Sequence, residues 1–286
     1  MLRAYRVPEC RERYDARDAI LYALGTGAGL SDTVDELHFV FERRLQALPT
    51  LALVLGTPGF WPMDPASGLD WRRVVLAELS LRLSRPMETE GELVGTARIG
   101  DITGPEAGHG TFHVHRTLTT LSGMPVADIE ELWGVRDGGV HTEAQEFSAS
   151  SWPVPEAAPD AVIDLPTSRQ QAMLYRTSGD RNPIHIDPET ASGSGYMRPP
   201  LHAASVLGLV ARGLIHLCSG GDPGRLTAIS ARFSGPVFPG ETIRTEMWQQ
   251  NQNILFRASC PERGAVVIDG GQAAIADTRE AKGKIE

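Results

Sequence analysis

Residues able to move protons crowd one short segment in the second half of this chain. Asp180, Asn182 and His185 lie within six residues of one another. An acid beside an imidazole is the minimum needed to move a proton to or from a water molecule. Because Asp-x-Asn-Pro also forms a common turn, these three residues alone leave a purely structural role open.

The sequence around these residues predicts a short, stiff bridge between two helices. Residues 168–177 contain no glycine or proline and can be helical, and Gly179 suits the end of that helix. Pro183 cannot continue a helix and pushes Asn182 towards an extended conformation. Asp187 followed by Pro188 is typical of the start of a second helix. The acid, the amide and the imidazole are therefore expected on a non-helical turn.

The whole segment 175–188 is more specific than its three polar residues. Its pattern Tyr-x-x-Ser-Gly-Asp-x-Asn-Pro-x-His-x-Asp-Pro resembles the signature of the hydratase 2 (MaoC-like) family of (R)-specific enoyl-CoA hydratases. Residues 199–203 and 231–242 resemble the segments that follow in that family. Residues 17–28 and 48–50 are similar to the first half of its two-repeat members, among them the hydratase region of peroxisomal multifunctional enzyme type 2. The likeness covers nearly all 286 residues.

The resemblance implies roles for individual residues. Asp180 and His185 would hold one water between them, with Asn182 helping to position it, while the choice of acid and base between the pair stays open. The helix that starts after Pro200 has unpaired N–H groups and a positive end. The N–H of Ala203, where the family has glycine, would bind the thioester oxygen. The methyl group of alanine leaves less space for the thioester to approach this N–H.

Substrate binding is assigned to Arg181, Pro183, Ile184 and Phe233. Arg181 is a candidate for a coenzyme A phosphate, as is Arg198, although an exposed arginine is usually only solvated surface. Phe233 matches a family residue that lines the ligand site, or else faces the core. Where the family often has His-Gly, this chain has Leu76-Ala77, so part of the coenzyme A contact must be rebuilt. We expect no metal and no separate cofactor, and a local hydrogen-bonding role for His202.

The predicted fold is α+β, a double hot-dog. Residues 201–218 are apolar on nearly every face, which is typical of a buried helix. The β-rich runs that follow it are 226–235, 241–249, 254–260 and 264–276. One helix wrapped by an antiparallel sheet is a hot-dog unit. Each unit has an exposed sheet edge, so the two can pair side by side.

The first half repeats this plan less clearly. It is predicted to contain helices at 18–26 and 48–55 and strands near 73–84, 92–103 and 109–121. Prolines mark residues 151–166 as a linker between an N-terminal unit (1–150) and a C-terminal unit (167–286). Only the second unit carries the polar motif, so we expect one active site per chain. The first unit is expected to supply the acyl-chain tunnel, with walls from Leu51, Leu53, Leu55, Phe60 and Trp61.

Composition limits the other possibilities. A net charge of −9 argues against binding nucleic acid, which needs basic patches. The three cysteines are far apart and favour a reducing compartment over a disulfide framework. No apolar leader, membrane span or peroxisomal C-terminal address is recognised, so we expect a cytoplasmic protein without a membrane partner. We also expect a homodimer.

The leading hypothesis is reversible hydration of trans-2-enoyl-CoA to (R)-3-hydroxyacyl-CoA. One alternative is a dehydratase for acyl-carrier-protein substrates or for branched or dicarboxylic thioesters. A basic rim around the entrance would favour the carrier protein. A second alternative, from a different class, is a non-catalytic acyl-CoA-binding or scaffold protein. The intact Asp180, Asn182 and His185 argue against that scaffold, whereas Ala203 and Leu76-Ala77 leave it open.

Overall fold

The first half of the chain contributes five strands and one α-helix to the fold. The computed structural model describes residues 2–103, 110–136, 152–250 and 253–277. The helix α1 spans Ala16–Gly25. The strands are β1 (Cys10–Tyr14), β2 (Val74–Leu83), β3 (Gly91–Thr103), β4 (Gly110–Thr120) and β5 (Pro125–Val135). Asp15 caps α1 by accepting hydrogen bonds from the N–H groups of Arg17 and Asp18, which explains why the helix begins there.

The second half adds five more strands around one long helix. Its helices are α2 (Gln171–Tyr175), α3 (Pro188–Gly193) and α4 (Ala203–Ser219). Its strands are β6 (Ala161–Pro166), β7 (Leu226–Phe233), β8 (Thr242–Gln250), β9 (Asn253–Cys260) and β10 (Ala265–Ile275). The side chains of Leu207, Leu209 and Leu214 on α4 are fully buried. The helix predicted over 201–218 is therefore confirmed.

All ten strands form one antiparallel sheet, in the order β1-β3-β4-β5-β2-β7-β10-β9-β8-β6. The two halves meet where β2 pairs with β7, with Leu79 opposite Ala231 and Leu81 opposite Ile229. Edge-to-edge pairing satisfies the backbone N–H and C=O groups that each half would otherwise leave exposed. The predicted double hot-dog is confirmed.

The segment 48–55 does not form the predicted α-helix. It forms a 3₁₀-helix over Pro49–Leu53, and the chain then turns at Gly56, whose φ is +60°. A Cβ on Gly95 of β3 would lie only 1.8 Å from the Gly56 carbonyl oxygen. The segment thus presses directly onto the sheet, and this close approach leaves no room for a longer helix.

The linker prediction is wrong for residues 161–166. These residues form β6, which pairs with β8 at one edge of the sheet. Ile163 and Leu165 are buried, while Val162 and Asp164, which alternate with them along the strand, are exposed. This alternation places two apolar side chains on the core face, and it outweighs the prolines of the segment. The division of the chain between the two units otherwise stays a prediction.

A buried ion pair also ties the halves together. Arg212 on α4 donates from Nε and Nη2 to the two carboxylate oxygens of Glu36, at 2.6 Å each, and a third bond reaches the carbonyl of Thr26. Both charged side chains are almost fully buried. Each charge neutralises the other, so removal of either side chain would leave an unpaired buried charge. Over the described ranges, no helix is both long and apolar enough to cross a membrane.

Candidate active site

The polar motif forms the predicted bridge between α2 and α3. A single 3₁₀ turn follows α2, and the chain then reverses at Gly179, whose φ is +128°. The N–H of Asn182 donates to Oδ1 of Asp180 at 3.1 Å, and the N–H of Ile184 donates to Oδ1 of Asn182 at 3.2 Å. Asp187 caps α3 as expected. These bonds fix the direction of the Asp180 carboxylate and hold Asn182 buried beneath it.

Three functional side chains converge at the N-terminal end of α4. Atoms of Asp180, His185 and His202 able to bind a proton or a metal ion lie within 4.8 Å of one another. The rings of His185 and His202 stack with their centroids 3.6 Å apart. Nε2 of His202 lies 3.3 Å from the backbone carbonyl oxygen of Asp180. His202 therefore makes the local hydrogen bond predicted for it, and it also supports both members of the acid–imidazole pair.

Hydrogen bonds to carbonyl groups set the tautomers of the two imidazoles. Nδ1 of His185 lies 3.0 Å from the carbonyl oxygen of Pro200. A carbonyl only accepts, so this nitrogen carries the proton and Nε2 of His185 keeps its lone pair. By the same argument Nε2 of His202 carries the proton. Nδ1 of His202 is buried and has no hydrogen-bond partner.

Burial favours the neutral form of both imidazoles. It lowers the pKa of His185, although the neighbouring Asp180 carboxylate opposes that shift. It lowers the pKa of His202 well below the usual range, and the proximity of His185 adds to the effect. A neutral His185 beside a carboxylate gives two hydrogen-bond acceptors at one point. A single water molecule can donate one proton to each.

The first turn of α4 supplies donors beside this pair. His202 occupies the N-cap position, yet its side chain makes no capping hydrogen bond. The N–H groups at the start of an α-helix have no partner within the helix, and the helix dipole makes that end positive. Ala203 and Ala204 both line the same cavity as Asp180 and His185. The assigned oxyanion donor, the N–H of Ala203, thus lies next to the acid–imidazole pair.

The main cavity, about 420 Å³, lies between the two halves of the protein. Val74, Val75 and Leu76 of β2 form one wall. The predicted site residues that line the cavity are Asp180, Asn182, Ile184, His185, Ala203 and Phe233. Arg181 and Pro183 are not among the lining residues, and Arg181 is exposed. The turn directs both of them away from the cavity, so their assignment to substrate binding gains no support.

Arginine side chains that sequence reasoning missed lie at the main cavity. Arg136 donates to the hydroxyl of Tyr196 at 3.2 Å, and its guanidinium lies over that ring. Arg263 lies over Phe238 and forms an ion pair with Glu241 at 2.6 Å. No motif marks these arginines, because their partners are distant in sequence. Arg198, which we had considered as a phosphate partner, lies over the same Phe238 ring and is 3.8 Å from Glu241.

A second, inner cavity of about 80 Å³ adjoins the main one. Asp180, Ala204 and Phe60 line both cavities. Of the predicted tunnel residues, Leu53, Phe60 and Trp61 line the inner cavity, whereas Leu51 and Leu55 do not. Arg116 and Glu131, two buried charged residues, also line it.

The same polar cluster offers the atoms a metal ion would need. Two histidines and one carboxylate are a known ligand set for transition metals. The ligand set would be Asp180, His185 and His202. Each of the two imidazoles already donates one ring N–H to a backbone carbonyl, as metal-bound histidines usually do. However, the atoms left over on Asp180 and His185 are also those that would hold a reacting water. Metal binding and water activation would therefore compete for one place.

Comparison with known proteins covers both halves of the chain. Residues 150–270 match the family model of the MaoC-like domain, and residues 13–130 match that of the MFE-2 hydratase 2 N-terminal domain. Peroxisomal enoyl-CoA hydratase 2 of Arabidopsis thaliana is 32% identical, over 94% of this chain and 93% of its own length. The 3-hydroxyacyl-thioester dehydratase Y of Mycobacterium tuberculosis is 34% identical, over 89% and 90% respectively. The crystal structure of a MaoC-like dehydratase from Phytophthora capsici superposes with a TM-score of 0.81 at 29% identity, covering 98% of each chain.

Proposed function

Because the chain belongs to the hydratase 2 (MaoC-like) family, we propose that it reversibly hydrates a trans-2-enoyl-CoA to the (R)-3-hydroxyacyl-CoA. The observation that carries the proposal is the meeting of Asp180 and His185 with the N-terminus of α4 in one cavity. An acid–imidazole pair activates water, and an unpaired helix N-terminus stabilises an oxyanion. Both are needed to add water to an unsaturated thioester.

The reaction balances with one water molecule. The water sits between the Asp180 carboxylate and Nε2 of His185, and its oxygen attacks C3 of the double bond. One proton leaves that water for the pair and is then delivered to C2. The thioester oxygen carries the developing negative charge between these events, facing the N–H of Ala203. Such a donor is worth typically about 3–4 kcal/mol of the barrier in other enzymes.

A carrier-protein thioester is the second candidate substrate. The arginines Arg136 and Arg263 line the main cavity and would favour it, although Arg263 is paired with Glu241. These residues also suit the phosphates of coenzyme A, since arginine binds phosphate with paired N–H groups. The relative from M. tuberculosis is named for thioesters in general. Comparing kcat/KM for one enoyl group carried by coenzyme A and by acyl carrier protein separates the two.

Three further features belong to the same proposal. We infer a cytoplasmic location, to which the free cysteines Cys10, Cys218 and Cys260 are suited, although the A. thaliana relative is named as peroxisomal. We infer a homodimer, which light scattering of the purified protein would test. We also infer that catalysis requires no metal or other cofactor. Unchanged turnover after treatment with EDTA would support this, and restoration of lost activity by an added divalent metal would contradict it.

The activity itself is tested by the loss of absorbance of the enoyl-thioester band with crotonyl-CoA and octenoyl-CoA. The product should be the (R)-3-hydroxyacyl thioester on chiral analysis. The matched control is Asp180→Asn, which keeps the oxygen that accepts from the N–H of Asn182. Hydration by that variant at the rate of the unaltered protein would remove Asp180 from the chemistry. Absence of hydration by the unaltered protein would favour the scaffold alternative.

A further inference from the structure

The inner cavity offers the acyl chain a path away from the reacting atoms. Asp180 and Ala204 line both cavities, so the inner one opens beside the place where C3 of the substrate would lie. The main cavity leads towards Arg136 and Arg263, which suit the anionic carrier end of the substrate. With the carrier directed that way, the carbon chain beyond C3 is directed into the inner cavity.

A buried ion pair forms part of the wall of the inner cavity. Nη1 of Arg116 lies 3.1 Å from Oε1 of Glu131, and only 9% of either side chain is exposed. The second carboxylate oxygen of Glu131 accepts from Nε1 of Trp133 at 2.8 Å. An apolar chain that grew past the walls of Leu53 and Phe60 would meet this pair.

The Arg116–Glu131 pair is held too firmly to move aside. Arg116 also donates to the backbone carbonyls of Leu53 and Leu55, at 3.0 Å and 3.1 Å. Both carbonyls belong to the tight segment that presses against β3. Displacing the guanidinium would leave two carbonyls without their donor and a buried carboxylate without its charged partner, which is strongly unfavourable. The wall of this cavity, whose volume is about 80 Å³, therefore contains a fixed polar pair.

From this we propose that the Arg116–Glu131 pair closes the acyl-chain cavity and restricts the enzyme to thioesters of short, apolar acyl chains. This inference rests on the proposed function and adds the substrate class to it. A long chain would either press methylenes onto buried charged groups or stay outside the cavity in water. A single misfitting methylene in such a pocket changes kcat/KM by about tenfold or more.

The first test uses the unaltered protein with crotonyl-, hexenoyl-, octenoyl- and dodecenoyl-CoA. The expected result is a kcat/KM at least about tenfold higher for crotonyl- or hexenoyl-CoA than for dodecenoyl-CoA. A kcat/KM that stays level or rises up to dodecenoyl-CoA overturns the inference while leaving the proposed function standing. Failure to hydrate any of the four overturns the proposed function, and the inference with it.

The second test compares two leucines of one 3₁₀-helix. Leu53→Ala enlarges the inner cavity but leaves the backbone carbonyl that binds Arg116. Leu51→Ala removes the same atoms from a buried side chain that lines neither cavity. The ratio of kcat/KM for octenoyl-CoA to that for crotonyl-CoA should rise about tenfold in Leu53→Ala and stay constant in Leu51→Ala. Equal shifts in both variants would overturn the assignment of the inner cavity.

The third test removes the charges. The double variant Arg116→Met with Glu131→Leu replaces the pair by apolar side chains of similar volume. It leaves no unpaired buried charge, although the carbonyls of Leu53 and Leu55 lose their donor. The same substrate ratio should rise as in Leu53→Ala. An unchanged ratio in a folded double variant would show that the pair does not set the limit. Because the ratio compares two substrates on one protein sample, a loss of folded protein does not alter it.

Discussion

The two halves of this protein fill the hollow of their sheet in different ways. In the C-terminal half, 17 residues of continuous helix occupy it, and the N-terminus of that helix meets the acid–imidazole pair. In the N-terminal half the corresponding space holds the short 3₁₀-helix of Pro49–Leu53 and the ion pair of Arg116 with Glu131. The half with the long helix carries the acid–imidazole pair. The half without such a helix supplies most of the residues that line the inner cavity.

The largest expected effect is on turnover, and it should be confined to the C-terminal half. Asp180→Asn and His185→Gln should each lower kcat by about 10²–10⁴-fold, because each removes proton transfer but keeps size and hydrogen bonding. Since the two side chains act on one water, the double variant should be little worse than either single variant. Steady-state kinetics measures all three.

The matched control for this loss lies on the N-terminal half. His113, on β4, is exposed to solvent, and His113→Gln should leave kcat unchanged. Titration with a tight, non-reacting thioester should give one site per chain. A loss in His113→Gln comparable to that in His185→Gln, or two equivalent sites per chain, would mean that the halves share the chemistry.

The next effect is on stability and concerns the contact between the halves. Glu36→Gln leaves the buried Arg212 without its charged partner, so the free energy of unfolding should fall by about 3–5 kcal/mol. The control is Asp164→Asn, which breaks the exposed pair with Arg244 and should lower the free energy of unfolding far less. Denaturant titration of both variants gives the comparison. Equal losses would show that the Arg212–Glu36 pair contributes no more than a surface pair.

The smallest effect is the dependence of stability on pH. Burial holds the pKa of His185 and of His202 below the usual value of 6.5. As pH falls below that value, the unfolded chain binds protons on these residues before the folded protein does, so acidification favours unfolding. The free energy of unfolding should therefore decline from about pH 7 to about pH 5, and less steeply in His202→Gln. An identical decline in His202→Gln and in the unaltered protein would place the acid-sensitive groups elsewhere.

Sequence reasoning succeeded where neighbours along the chain decide the structure. The bridge from Gly179 to Asp187 follows from glycine, proline and capping rules that act over two or three residues. The long helix of Ala203–Ser219 follows from an unbroken apolar run. The matches to known family segments then placed Asp180, His185 and Ala203 together. These features needed no knowledge of which strands pair.

The features that sequence reasoning missed depend on contacts between distant segments. Strand β6 forms because Ile163 and Leu165 pack into the core beside α4. The proline-rich composition of the surrounding segment does not predict this packing. The pairing of Arg116 with Glu131 follows from the register of β4 against β5. Arg136 reaches Tyr196 across the interface of the two halves. No local pattern signals such partners, so the ion pair in the wall of the inner cavity and the arginines at the main cavity emerged only from the fold.

The pairing of β2 with β7 also determines at what stage of folding the main cavity is complete. Leu81 and Ile229, which face each other in that pairing, are separated by more than half of the chain. Contacts so distant form late, because closing a long loop costs entropy before any contact compensates for it. The main hydrophobic cluster contains side chains from both halves, and the main cavity likewise needs walls from both. Until the two edges meet, each remains open to the complementary edge of another molecule, so folding at high concentration favours exchange between chains and aggregation.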